Sequence, residues 1–228
     1  MQDLSNWQPP RWPDAETLEG QYARLELLTE AHGAELHAAN SESDAIWDYL
    51  PYGPFVDVDA YRAWISSTGS DADPRFHAIF DKQAQRWGGV ASLMRITPAA
   101  GSIEVGHINF AAPLQKTRAA TEAMYLLMRW AFEAGYRRYE WKCDASNIGS
   151  RRAAQRLGFS YEGIFRQAGV VKGRNRDTAW FAAIDSEWPA LKAAFENWLA
   201  PTNFDADGQQ RQSLSALTAP ILVAQDPE

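Results

Sequence analysis

The stretch IEVGHINFAAPLQKTRAATEAMYLLMRWAFEAG, from Ile103 to Gly135, changes its period in the middle. Its opening, Ile103 to Phe110, is the run of apolar and polar residues that a strand makes. From Arg118 the apolar positions recur at helical spacing until Gly135, which stands where glycine usually ends a helix. The polar residues Arg118, Glu122, Arg129 and Glu133 follow one another at spacings of four, seven and four, so they share one narrow face. The rest of that helix is expected to be buried against a sheet. A strand running into a helix start exposes unpaired amides beside the positive end of the helix dipole, a setting that suits phosphate. Gln115, Lys116, Thr117 and Arg118 occupy this joint; Lys116 and Arg118 add charge, while Ala119 and Ala120 allow close approach to the backbone. The same residues would equally serve as a plain solvated helix cap.

Upstream, Pro9, Pro10 and Pro13 among Trp7 and Trp12 predict an extended arm, followed by a strand from Tyr22 and a helix from Thr29 to about Ala39. The aromatic stretch IWDYLPYGPF, Ile46 to Phe55, reads as a loop over a pocket or core, and Asp57 caps a further helix through Trp64. Strands from Arg75 and Gly88, then the turn Thr97 to Ser102, lead into Ile103 as an antiparallel meander. Downstream come a strand RYEWKCD from Arg138, a helix from Asn147 to Leu157, strands from Ser160 and Asp177, and a helix capped by Ser186 that runs to Leu199. Beyond Pro201 the chain is polar, with a short helix near Arg211 to Leu217. This order predicts an α/β (α+β) fold: a central mixed, mostly antiparallel sheet of about seven strands flanked by helices on both faces. One domain, residues 21–200, would lie between an extended arm, 1–20, and a polar tail, 201–228.

With 228 residues, 46% hydrophobic and 22% charged, the chain has the composition of a globular protein. Its net charge of −7 argues against nucleic acid or an anionic membrane surface as partner, and suits either a cationic partner or simple solubility. Cys143 is the only cysteine, which excludes an internal disulfide and a cysteine zinc site; no metal is expected. We read it as a buried structural thiol rather than a nucleophile. No signal peptide or long apolar span is evident, so a cytoplasmic location is expected.

The order and spacing of several short motifs resemble the GNAT superfamily of coenzyme A dependent N-acyltransferases, especially the branch of the ribosomal-protein N-terminal acetyltransferases. The pyrophosphate loop Q/R-x-x-G-x-G/A is matched by Gln115, Lys116, Thr117, Arg118, Ala119 and Ala120, and the T-E-A that follows it by Thr121, Glu122 and Ala123. N-x-x-S is matched by Asn147 and Ser150, L-G-F by Leu157, Gly158 and Phe159, and E-G by Glu162 and Gly163. A late K-G-R and D-T are matched by Lys172, Gly173, Arg174, Asp177 and Thr178, so the resemblance spans about Tyr22 to Ile184. Two positions depart. Arg118 replaces the first loop glycine, so either the loop opens or Arg118 takes helical angles and offers its guanidinium to a phosphate. Ala154 stands where many members carry a tyrosine that protonates the leaving thiolate.

The resemblance implies acetyl-CoA as cosubstrate and direct attack by an amine, from a small molecule or a protein N-terminus, without a covalent enzyme intermediate. Ile108, Asn109 and Phe110 on the strand, Gln115 through Thr121 at the joint, and Asn147, Ser150 and Arg152 on the later helix would hold the coenzyme. Arg151 could also meet phosphate. Glu104 is the expected base, directly or through water, with His107 as runner-up; a regular strand would turn these two to opposite sides, so both reach a cleft only if the strand bulges, for which Gly106 offers freedom. Each has a structural alternative: a cross-strand ion pair for Glu104, a packed histidine for His107. Ser150 would donate to the leaving sulfur, or else cap its helix. Trp47, Tyr49, Tyr52 and Phe55 would wall the acceptor, or simply pack. A coenzyme-binding module without turnover and a protein-interaction module are the rival readings, and a homodimer through the Trp-bearing arm or late strands is compatible with either.

Overall fold

The computed structural model describes residues 3–69 and 72–228. The arm ends in a short strand, β1 (Thr17–Glu19), which turns into β2 (Ala23–Leu27). Two helices, α1 (Gly33–Asn40) and α2 (Val58–Thr68), precede the meander β3 (Arg75–Asp81), β4 (Arg86–Thr97) and β5 (Ser102–Phe110). Then come α3 (Arg118–Glu133), β6 (Arg138–Asp144), α4 (Ile148–Arg156), the hairpin β7 (Ser160–Val171) and β8 (Arg174–Ile184), α5 (Trp188–Leu199) and the short α6 (Leu214–Thr218). The sheet has eight strands in the order β1-β2-β3-β4-β5-β6-β8-β7. The strand added to the expected number is β1, whose three residues are too few to show a period.

All neighbours pair antiparallel except β5 and β6, which α3 connects as a crossover; a crossover returns the chain in the same direction, so this pair is parallel. Both faces are covered, as the sequence implied. On one face α3, α4 and α5 enclose a core that includes Ile103, Val105, Leu127, Tyr139, Phe159 and Phe195. On the other, α1, α2 and the aromatic loop build a second cluster around Leu36, Trp47, Tyr61, Ile65 and Phe76. Among the described residues no helix is long and apolar enough to cross a membrane.

Three local expectations change. Glu122 does lie in a row with Arg118, Arg129 and Glu133, but it is buried: its carboxylate accepts the amides of Gln21 at 2.9 Å, Tyr22 at 2.5 Å and Ala23 at 2.6 Å. The chain turning into β2 covers it, so closely that a Cβ on Gly20 would fall 2.4 Å from the carboxyl carbon. Ser186 does not cap α5; Glu187 holds the N-cap position. The polar tail folds back on the domain: Leu214 is fully buried, the Tyr161 amide donates to the Ala224 carbonyl, and Asp226 receives Arg151 of α4.

Candidate functional site

The parallel ladder of β5 and β6 runs from Ser102 opposite Arg138 to Val105 opposite Trp141 and ends there. Beyond this point β6 stays with β8 while β5 stays with β4, so the two central strands part and leave main-chain groups without a strand partner. A cavity of about 520 Å³ occupies the opening. Glu104, His107, Ile108, Phe110 and Gln115 line it on the β5 side; Lys142, Cys143, Asn147 and Ser150 line it on the β6 and α4 side.

A bulge brings Glu104 and His107 into the same cavity. Across the β4–β5 pair Val90 faces Asn109 but Ser92 faces Gly106, which is one residue too many on β5. The left-handed backbone falls on His107, with φ of 50°, and not on Gly106 as the sequence suggested. Gly106 instead leaves room for Met94: a Cβ there would lie 2.3 Å from the sulfur and would make that side chain move.

Glu104, 2% exposed, sits between two cations, with Arg95 Nη1 at 2.6 Å from Oε1 and Lys142 Nζ at 2.7 Å from Oε2. Lys142 also approaches Glu140 Oε2 at 2.7 Å and stands 3.8 Å over the Trp180 ring. Glu140 in turn accepts from Arg138, which reaches on to Glu162, so charges alternate along one face of the sheet. Burial alone would push the Glu140 carboxyl up; Arg138 and Lys142 outweigh it and hold the group below its ordinary range. For His107, burial first and then the fields of Arg95 and Arg176 lower the ring to about 4, so it is neutral at neutral pH. Its Nδ1 lies 3.1 Å from the Tyr52 hydroxyl, and the two rings stack.

At the joint into α3, the Thr117 side chain caps the helix by accepting from the Ala120 amide at 3.0 Å. The Gln115 side chain donates to the Phe110 carbonyl at 2.9 Å, and Lys116 is exposed with φ of 62°. Among the described residues the amides of Arg118 and Ala119 meet no acceptor, as expected in a first helical turn. Of the two options foreseen for Arg118, the helical one describes its backbone. It begins the helix, and its guanidinium stacks 4.3 Å over Phe204 and 5.2 Å over Tyr22, against the tail and the β2 entry. Arg118→Ala is therefore expected to lower stability by about 1–2 kcal/mol, read by thermal melting; an unchanged melt would mean that this stacking contributes nothing.

Ala119 and Ala120 are buried under the joint, and Thr121 is buried too, receiving Arg156 Nη1 at 3.2 Å. Asn109 is 3% exposed and off the cavity wall, and among the described residues neither side-chain amide atom has a hydrogen-bond partner. On α4, Asn147 is the cap, its Oδ1 accepting from the Ser150 amide at 3.0 Å. Ser150 is thus relieved of capping; its Oγ accepts from Trp141 Nε1 at 3.1 Å. Arg151 is unavailable to phosphate, because it is 4% exposed and clamps Asp226, while Arg152 is exposed. Ala154 is fully buried, so that position supplies no acid. Burial raises the Cys143 thiol, in keeping with a structural role.

The aromatic loop divides. Trp47 packs edge-on against Tyr52 and Phe55 in the second core, and of the four aromatics only Tyr49, 42% exposed, lines the cavity. Three cavity cations were not singled out from the sequence: Arg95, Lys142 and Arg176. For Lys142 a signal was present, since Arg138, Glu140, Lys142 and Asp144 alternate sign at period two and so form a charged row on a central strand. Among the described residues no cluster suited to a metal ion occurs.

Residues 23–160 match the family model of the acetyltransferase (GNAT) domain. A solved GCN5-related N-acetyltransferase from Brucella melitensis is 47% identical over 95% of this chain and all of its own, with a TM-score of 0.92. A GNAT-family protein from Chromobacterium violaceum ATCC 12472 is 41% identical over 83% of this chain and 96% of its own, with a TM-score of 0.78. No curated protein sequence matches the chain. With strands that part beside a helix start, and with a family model covering most of the sheet, the chain belongs to the GNAT family of acetyltransferases.

Proposed function

We propose that this chain moves an acetyl group from acetyl-CoA to a primary amine by direct attack of the amine on the thioester. The observation that carries the reading is the parting of β5 from β6 after Val105 and Trp141, with a cavity between them that holds Glu104, His107 and Ser150. The site fits the coenzyme in three respects: unpaired main-chain groups on β5, free amides at the start of α3, and a cavity lined by Asn147 and Ser150. Bound there, acetyl-CoA supplies an activated thioester. Ile108 and Phe110 flank the pantetheine arm, the amides of Arg118 and Ala119 with exposed Lys116 meet the diphosphate, and Asn147 orients the arm from α4.

The amine must arrive neutral. Glu104 takes its proton, directly or through water, once the acceptor displaces part of the contact with Arg95 or Lys142. His107 keeps a lone pair at neutral pH but is held at low basicity, which makes it the weaker candidate and a better partner for orienting the acceptor through Tyr52. As the new C–N bond forms and the C–S bond breaks, the sulfur needs a proton. Trp141 donates to Ser150 Oγ, so the hydroxyl keeps its own proton to give, to the leaving sulfur or to the neighbouring Cys143 thiol. Ser150→Ala is expected to lower kcat by at most about a hundredfold; a wild-type rate would leave the serine only its contact with Trp141.

The deciding experiment follows thiol release from acetyl-CoA against a panel of amines, with calorimetry of acetyl-CoA binding beside it. Release that depends on an amine supports the reading. Binding without turnover on any amine would leave a coenzyme-binding module, and absence of binding heat would overturn both.

A further inference from the structure

Most of the charges at and beside the central cavity are spent on one another. Arg95, Glu104, Lys142, Glu140, Arg138 and Glu162 form a continuous series in which each cation meets a carboxylate within 4 Å. Arg176 stands outside that series. It lies on β8 beyond the end of β6, two residues past Thr178, which pairs with the last β6 residue, Asp144. By the pleat, its side chain shares a face with Thr178 and Trp180, the latter stacked under Lys142. Arg176 lines both the central cavity and a second cavity of about 780 Å³ beside it. Its Nε is buried without a hydrogen-bond partner, and among the described residues its side chain has no ion pair. It is also near enough to His107 and Cys143 for its field to reach both.

A half-buried guanidinium with no counter-charge is costly unless a ligand completes it. The neighbouring carboxylates do not: Asp177 accepts from the Gln167 amide and Asn175, and Asp144 accepts from Ser146. Neither comes within ion-pair distance of Arg176. Of the other two cations on this side, Lys172 is committed to the carbonyls of Trp47 and Gly53, and Arg174 is exposed. The second cavity carries Asp48, Asp144 and Asp177 beside Lys172, Arg174 and Arg176, a balanced lining that suits a zwitterion better than a doubly charged phosphate. A planar guanidinium matches a carboxylate through two parallel hydrogen bonds.

We infer that Arg176 binds the carboxylate of the acceptor, and that the acceptor is a small zwitterion of the α-amino acid class, its amine turned toward Glu104 and His107. This rests on the acetyl-transfer reading above and narrows its acceptor. The amine nitrogen bonds to the acetyl carbon and gives up a proton to the protein, the carbon–sulfur bond breaks and coenzyme A leaves as its thiol, while the carboxylate stays unreacted and serves only for grip.

The test compares L-amino acids with the matching amino-acid amides as acceptors, at saturating acetyl-CoA, for wild type, Arg176→Gln and Arg176→Lys, with melting curves to show that each variant folds. Wild type is expected to favour at least one amino acid over its amide by about ten- to a hundredfold in kcat/KM, mostly through KM. Arg176→Gln should collapse that ratio, and Arg176→Lys should restore part of it. Equal use of acid and amide by wild type, or a ratio that survives Arg176→Gln, overturns the inference; the first result would point instead to a peptide N-terminus, which the amide imitates. Calorimetry of the same amino acids with the CoA-loaded protein keeps the two readings apart. If no amine is acetylated but an amino acid binds to wild type and not to Arg176→Gln, the carboxylate site stands and the transfer reading falls. If no amino acid binds, the site itself is refuted.

Discussion

Glu104→Gln is expected to lower kcat at neutral pH by about a hundredfold or more, while acetyl-CoA affinity stays within a few fold. The amide that replaces the carboxylate cannot take a proton, so the variant depends on acceptor that is already neutral. For an amine with a pKa near 10 that is about one molecule in a thousand at pH 7. Its rate should therefore climb about tenfold per pH unit and approach wild type as the amine loses its own proton. Turnover unchanged at neutral pH would remove Glu104 from the role of base. A deficit that persists at high pH would assign it a different task, balancing Arg95 and Lys142 so that a cationic acceptor can enter. The fold should suffer as well, by about 1–3 kcal/mol. The lower end is favoured because Arg95 is 56% exposed and Lys142 keeps Glu140 as a partner.

The second large effect lies away from the chemistry. Glu122→Ala is expected to destabilise the protein by about 3–5 kcal/mol, because the amides of Gln21, Tyr22 and Ala23 would lose a charged acceptor inside the fold. For a domain of this size that corresponds to a fall in Tm of roughly 10 °C. Glu122→Gln, which keeps an acceptor oxygen, should fall less. A Glu122→Ala variant that melts with wild type would show that water replaces the carboxylate and that this contact does not pin β2 to α3. The site is linked to the same contact, since Tyr22 at the mouth of β2 supports the Arg118 guanidinium.

How far the site could be read in advance differs from residue to residue. The strand-to-helix joint at Gln115 to Ala120, the cap at Asn147 and the place of Ser150 beside it were legible, because caps and periods depend on side chains within a turn or two of one another. The need for a bulge between Glu104 and His107 followed from counting along the pleat. Its carrier did not: Gly106 has the conformational freedom, but Met94 packs against it from the neighbouring strand, and the left-handed angle falls to His107. Arg118 and Arg151 look alike in sequence, as basic residues at the starts of helices. One stacks on Phe204 and Tyr22 and the other clamps Asp226.

The sequence by itself determined the alternation of strands and helices, a mixed and mostly antiparallel sheet, the strand-to-helix joint at Gln115 to Ala120 and the resemblance to a family of acetyltransferases. Each of these is written in spacing along the chain, and spacing survives without knowledge of what lies opposite. Only the tertiary structure decided which charges are spent on one another and which remain to meet a ligand. Glu122 is consumed by amides at the entry to β2, Glu104 is shared by two cations from neighbouring strands, and among the described residues Arg176 has no ion pair and its Nε no hydrogen-bond partner. Whether a charge is free depends on side chains that arrive from distant segments, and a buried ion's energy is set by those neighbours and the loss of water far more than by its own place in the sequence.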